Sequence, residues 1–182
     1  MPVLNVAFVG SESLARKIAK KGDVRDIESY VHKEEINGEM RIISLLRPLK
    51  HPEKIRPLLS VLNVAKIGII EISKVDSALG EICVSFGCAN IKEGLAIINA
   101  EDGEWVDPDQ VRIILGQSGL KNWELLEQLP DEHSIREKLY SFMNNIEHED
   151  SSLILPVDQF FNVKGVGLVA IGYVQSLSLI HI

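Results

Sequence analysis

The chain has 182 residues, 46% of them hydrophobic and 25% charged, with a formal net charge of -7. That length and hydrophobic share suffice for one good core and part of a second, and the acidic balance excludes indiscriminate nucleic-acid binding by the whole surface while leaving room for a local basic face. No run approaches the ~18 to 20 uninterrupted apolar residues of a membrane span and the N-terminus lacks the layout of a secretory signal, so a cytoplasmic protein with no membrane partner is expected.

In chain order, Val3 to Val9 reads as a buried first strand and Ser13 to Lys21 as its helix, closed by Gly22. Asp26 to Lys33 and Met40 to Leu46 are β-rich runs flanking Asn37-Gly38, a strong hairpin signal. Pro48 to Pro52 breaks the pattern. Glu53 to Leu62 then carries Ile55, Leu58, Leu59 and Leu62 at helical spacing. Lys66 to Ile72 is a dense β-branched strand, Ser77 to Phe86 a helix and Gly94 to Ile98 a central strand. Asp107 and Pro108 cap and open a helix to Leu115. Trp123 to Leu126 is expected as a last strand and His133 to Met143 as a last helix. Strands alternate with helices throughout, which predicts an α/β fold: a mostly parallel three-layer sheet with helices on both faces. Cys83 and Cys88 lie in or just after an apolar helical stretch and read as buried reduced thiols rather than a disulfide or metal pair.

The stretch Asn5 to Lys17, NVAFVGSESLARK, organises the rest. An apolar run ending at Gly10, a short polar turn and a set of helix formers is how a phosphate-cradling βα unit begins. The phosphate loop itself is Gly, four residues, then Gly-Lys and Ser or Thr, and only the first defining position survives. Ala15 carries a Cβ where a second glycine allows close approach to phosphate. Arg16 keeps a charge where lysine is expected, but as a bulkier planar fork. Lys17 puts an ammonium where a hydroxyl would ligate magnesium, and two such cations ~4 Å apart cost roughly 4 kcal/mol near a surface. Glu12 adds a carboxylate where phosphate oxygens would sit, within reach of Arg16 or Lys17. Two readings stay open: an ordinary βα turn, or a weak, altered nucleotide site.

Beyond Asn145 the composition shifts. Glu147 to Ser152 is an acidic, polar linker. Leu153 to Pro156, Phe160 to Val163 and Gly167 to Val174 then read as β segments, with a tight turn at Lys164 to Gly167. The run PVDQFFNVKGVGLVAIGYVQS, Pro156 to Ser176, resembles the opening of the second, β-barrel domain of translational GTPases, the closest likeness being to elongation factor Tu and the selenocysteine-specific factor. In that family the barrel follows a GTPase domain of the α/β order just derived.

The resemblance implies GTPase motifs, and on this chain they are eroded. No threonine exists anywhere to serve as the magnesium-binding switch residue. The interval from Gly22 to Gly38 is short for the family's first switch. The best match to the Asp-x-Pro-Gly-His-Glu segment is Pro48 to Lys54, with no Asp or Gly between Met40 and Leu59. His51 falls within one position of the family's water-orienting histidine and reads as a surface or packing residue. The guanine motif Asn-Lys-x-Asp survives as Asn99-Ala100-Glu101-Asp102, where a carboxylate would accept two N–H bonds from guanine; the same residues are also ordinary turn formers. The base pocket's Ser-Ala loop has no counterpart near Trp123 to Leu129.

These observations set the functional expectation. The chain resembles an archaeal-type member of the elongation factor Tu and selenocysteine-factor group that has lost GTP hydrolysis and acts by binding tRNA, the ribosome or a partner factor. The alternatives are a GTP-binding elongation factor with a non-standard site and a plain α/β interaction domain. No catalytic or metal-binding residue is expected, and no cofactor, GTP being at most a weak ligand. The vestigial nucleotide site comprises Gly10, Arg16, Lys17, Asn99 and Asp102. Arg41, Arg47, Lys50, Lys54 and Arg56 form a local positive cluster, best read as a solvated face. The expected organisation is a degenerate GTPase-like domain at 1–146, a linker at 147–152 and the first strands of a truncated barrel domain at 153–176. The terminal LSLIHI, 177–182, matches what a sequencing adapter would encode.

Overall fold

The computed structural model describes residues 2–36, 38–100, 105–145 and 157–172. The chain divides into two compact units, Met1–Asn144 and Asn145–Ile182. The linker and adapter readings at 147–152 and 177–182 fall outside the described residues.

The first unit holds β1 (Val3–Val9), α1 (Glu12–Ile18), β2 (Lys20–Val24), β3 (Ile27–Ile36), β4 (Glu39–Pro48), α2 (Arg56–Val64), β5 (Ile67–Ile72), α3 (Ser77–Cys88), β6 (Gly94–Ile98), α4 (Pro108–Gln117), β7 (Glu124–Leu126) and α5 (Glu132–Asn145). Its strands form one seven-stranded sheet in the order β2-β3-β4-β1-β5-β6-β7. From β4 through β1, β5 and β6 to β7 every pairing is parallel, and β2, β3 and β4 pair antiparallel. This is the expected mostly parallel α/β sheet. β6 is buried at all of its five positions, as a central strand covered on both faces requires.

Helices cover both faces. Ala7, Ile70, Ile72, Ala96 and Ile98 share one cluster with Leu58 and Val61 of α2, Leu79 and Phe86 of α3, and Val111 and Leu115 of α4. Alternation along β1 turns Val6 and Phe8 the other way. Leu14, Ala15 and Ile18 of α1 and Ile135 and Leu139 of α5 are buried outside that cluster, and Arg136 Nε of α5 donates to the Ile18 carbonyl at 3.0 Å.

One boundary departs from expectation in a way that matters for the site. The helix expected over Ser13 to Lys21 ends at Ile18, with Ala19 already extended, and Lys20 onward forms β2 against β3. Cys83 is buried, as expected, and burial pushes its thiol up to about 11; Cys88, expected to be buried, is exposed and free. The second unit contains β8 (Val157–Val163) and β9 (Gly167–Gly172), an antiparallel hairpin turned by Lys164 to Val166. The first of the three expected segments, Leu153 to Pro156, is outside the described residues.

Candidate functional site

Ligands of parallel α/β sheets sit beyond the carboxyl ends of the strands, at the first βα turn. Here that turn is two residues long, Gly10 and Ser11, between the end of β1 and the start of α1. Ser11 is the helix cap: its Oγ accepts from the Leu14 amide at 3.2 Å. Its own amide donates to Oε2 of Glu71 at 2.5 Å. Glu71 stands near the end of β5, the neighbour of β1, in the register Glu71↔Ile97 with β6. Its Oε1 accepts from Asn99 Nδ2 at 2.6 Å. Asn99 follows β6 directly and is fixed by its own amide, which donates to the Ile72 carbonyl at 2.9 Å.

Gly10 is what lets the carboxylate in. A Cβ at that position would meet Glu71 Cβ and Oε2 at 2.7 Å and Phe8 Cζ at 3.0 Å. A backbone N–H at a helix start is an anion-binding group. At Ser11 the anion is supplied by the protein.

The other side of the turn is closed by a second charged network. Arg47, at the end of β4, donates through Nε to the Gly10 carbonyl at 2.7 Å and through Nη1 to Glu28 Oε2 at 2.7 Å. Glu28 of β3 is 4% exposed and also accepts from Tyr30 Oη at 2.8 Å and Lys21 Nζ at 2.6 Å. Burial acts to raise its pKa, but the bonds from Lys21, Tyr30 and Arg47 outweigh it and hold the carboxyl at about 2. Lys21 also donates to Glu12 at 2.8 Å, as does Arg16 Nε at 2.7 Å. These bonds hold Glu12 below its usual range, and bonds to Glu12 and then Glu28 raise Lys21.

The structure therefore brings Gly10 and Asn99 together around Glu71 and places Arg16 and Lys17 elsewhere. Both occupy the last turn of α1, with Arg16 paired to Glu12. Asp102 lies outside the described residues. His51 is packed: its side chain is 6% exposed, with Nε2 3.7 Å from Glu81. Of the positive cluster read as a solvated face, Lys50, Lys54 and Arg56 are exposed, whereas Arg47 joins Glu28 and Gly10 and Arg41 donates to Asn144 Oδ1 at 2.8 Å.

The side chains of this turn are not arranged as those of a phosphate loop. The phosphate loop needs free amides and a lysine arching over them. Here the Ser11 amide is occupied by Glu71, Glu12 begins the helix, and Lys17 is in the helix's far turn. Among the described residues no group of three His, Cys, Asp or Glu is placed to hold a metal ion. Glu71 and Glu28 were missed from the sequence. For Glu71 the available signal was a lone acid inside a dense β-branched strand, which demands a partner if buried; Glu28, in a hairpin run that also holds Asp26, carried no such signal.

A second feature lies at the other end of α1. Arg16, Lys17, Lys20, Lys21, His32 and Arg136 line an open cleft of about 400 Å³. Arg136 donates to the carbonyls of Ile18 and Lys17, capping the helix end.

No protein-family model matches the chain. An uncharacterized protein of Methanocaldococcus jannaschii is 30% identical over 178 residues, which are 97% of this chain and 54% of that protein. The chain thus spans about half the length of this curated relative. Among solved structures, a bacterial selenocysteine-specific elongation factor superposes with a TM-score of 0.63 at 14% identity, covering 97% of this chain and 35% of that one. The translation elongation factor SelB from Methanococcus maripaludis, solved in complex with the GTP analogue GppNHp, gives 0.60 at 19% identity, covering 97% and 42%. At these identities the shared property is the fold, and it is the translational GTPase-type fold expected from the sequence.

Proposed function

We propose that this chain is a translation-factor-like binding protein, related to the elongation factor Tu and selenocysteine-factor group, that engages tRNA, the ribosome or a partner factor without a GTP cycle. The observation that carries the reading is the Glu71 carboxylate on the Ser11 amide, which fills an anion-binding position of the first βα turn from within. The fold of two selenocysteine-type elongation factors supports the translational assignment. Phosphoryl transfer depends on metal and cationic stabilisation of developing charge, and the turn offers carboxylates instead. The degenerate site, Gly10 with Asn99 around Glu71, then serves as a structural joint between β1, β5 and β6.

The test is cosedimentation of the full chain with archaeal ribosomes, alone and with GTP or GDP. Equal binding in all three conditions is expected. Binding that appears only with GTP contradicts the reading, and no binding in any condition removes the ribosome as its partner.

A further inference from the structure

We infer that the cleft at the carboxyl end of α1 is a binding site for an RNA phosphate backbone; the choice of RNA as occupant rests on the translational reading above. Five cations, Arg16, Lys17, Lys20, Lys21 and Arg136, line it together with His32. They are five of the 19 lysines and arginines of a chain whose net charge is -7, so the cleft is a local basic face on a net acidic molecule. A cleft lined by one sign of charge focuses the field and raises the local concentration of the opposite sign.

The structural needs of the fold do not account for all five. The carbonyls at a helix end favour one nearby cation, and Arg136 already supplies it by donating to Ile18 at 3.0 Å and Lys17 at 3.2 Å. Lys21 is engaged by Glu12 and Glu28, and Arg16 by Glu12. Lys17 and Lys20 are exposed and form no ion pair among the described residues. His32 Nε2 is shielded from solvent and has no hydrogen-bond partner among the described residues, with the Glu34 carboxylate 3.5 Å away. Two uncommitted ammonium groups beside a guanidinium, in an open cleft, suit successive phosphates of a chain better than one enclosed anion. The cleft and the Gly10 turn lie at opposite ends of α1, about 10 Å apart for seven residues at 1.5 Å each.

The experiment is fluorescence anisotropy of a short labelled RNA hairpin with the full chain, titrated at low and at physiological salt. Lys17→Glu/Lys20→Glu is compared with the charge-matched Lys92→Glu/Lys121→Glu, whose sites lie by β6 and β7. The cleft variant is expected to weaken binding at least about tenfold and to lower the salt slope by about two, one for each phosphate that no longer meets an ammonium group. The control variant stays within about twofold. Lys17→Gln/Lys20→Gln, which adds no repulsion, shifts in the same direction and guards against misfolding as the cause. Equal weakening by both charge-reversal variants, or no RNA binding by the wild type, overturns the inference. So does displacement of the RNA by inorganic phosphate at constant ionic strength, because a small anion then suffices to fill the cleft. None of these outcomes bears on whether ribosome binding depends on nucleotide.

Discussion

The Ser11 amide donates to Oε2 of Glu71 at 2.5 Å, joining the cap of α1 to a strand residue 60 positions later. Two bodies of chain are tied by this bond, and one polar function is used up by it. A phosphate brought to the same place meets a carboxylate: two unit negative charges ~4 Å apart repel by roughly 4 kcal/mol near a surface. Removing the carboxylate does not rebuild a cradle, because Lys17 remains in the last turn of α1.

Gly10→Ala tests the closeness of that approach. The new Cβ lies 2.7 Å from Glu71 Cβ, part of a strand that cannot swing away. A loss of about 1–3 kcal/mol is expected, the usual cost of overpacking. Urea denaturation of the purified variant at neutral pH measures it; stability within a few tenths of wild type would mean that β5 yields there.

Asn99→Ala tests the other half of the joint. It removes the donor at 2.6 Å from Glu71 Oε1, for an expected cost of about 1–3 kcal/mol because a charged acceptor is left short of a partner. Asn99→Asp costs more, since it sets two carboxylates face to face. The order of the two midpoints in urea is the measurement.

Glu28 gives the fold a pH dependence of definite sign. Its carboxyl is held at about 2 against an ordinary 4.5, so the unfolded chain takes up the proton first as acid is added. The stabilisation is complete above pH 4.5 and is lost as the pH falls towards 2. At about 1.4 kcal/mol per unit, this group contributes on the order of 3 kcal/mol. Unfolding free energies of wild type and Glu28→Gln between about pH 7 and about pH 2.5 are the check. The variant starts lower, because Arg47 and Lys21 lose their charged partner, and varies less across that window.

The core beneath the parallel strands is closely packed where Gly68 faces Trp123. A Cβ on Gly68 would meet Trp123 Cη2 at 2.3 Å and Phe86 Cε1 at 2.5 Å, two rings already packed edge to face with centroids 5.1 Å apart. Gly68→Ala is expected to cost more than about 3 kcal/mol, since neither ring has room to retreat. Loss of near-ultraviolet ellipticity would report it; a native spectrum and midpoint would contradict it.

Most of the sheet was legible because central strands announce themselves. Residues 67–72 and 94–98 are nearly continuous apolar runs, and Asp107-Pro108 marks the start of α4. β2 was not legible. Its sequence, KKGDV, carries one β-branched residue, and its only claim to be a strand is the edge it offers to β3. Lys20 and Lys21 extend the helix formers of α1, so local propensity pointed one way and pairing decided the other. The candidate site was half legible. Gly10 and Asn99 read from the sequence as candidate nucleotide-site residues, and the structure places both against Glu71. The group between them, Glu71, is a single acid in the strand IGIIEI, and nothing local indicates that it reaches the Ser11 amide. Bonds across 60 and 28 residues are set by register, which only the assembled sheet fixes.

Titration calorimetry of the intact chain with Mg·GTP tests the central claim most directly. With the Ser11 amide held by Glu71, millimolar Mg·GTP is expected to give no saturable heat. A saturable, magnesium-dependent isotherm of one site per chain would contradict the account.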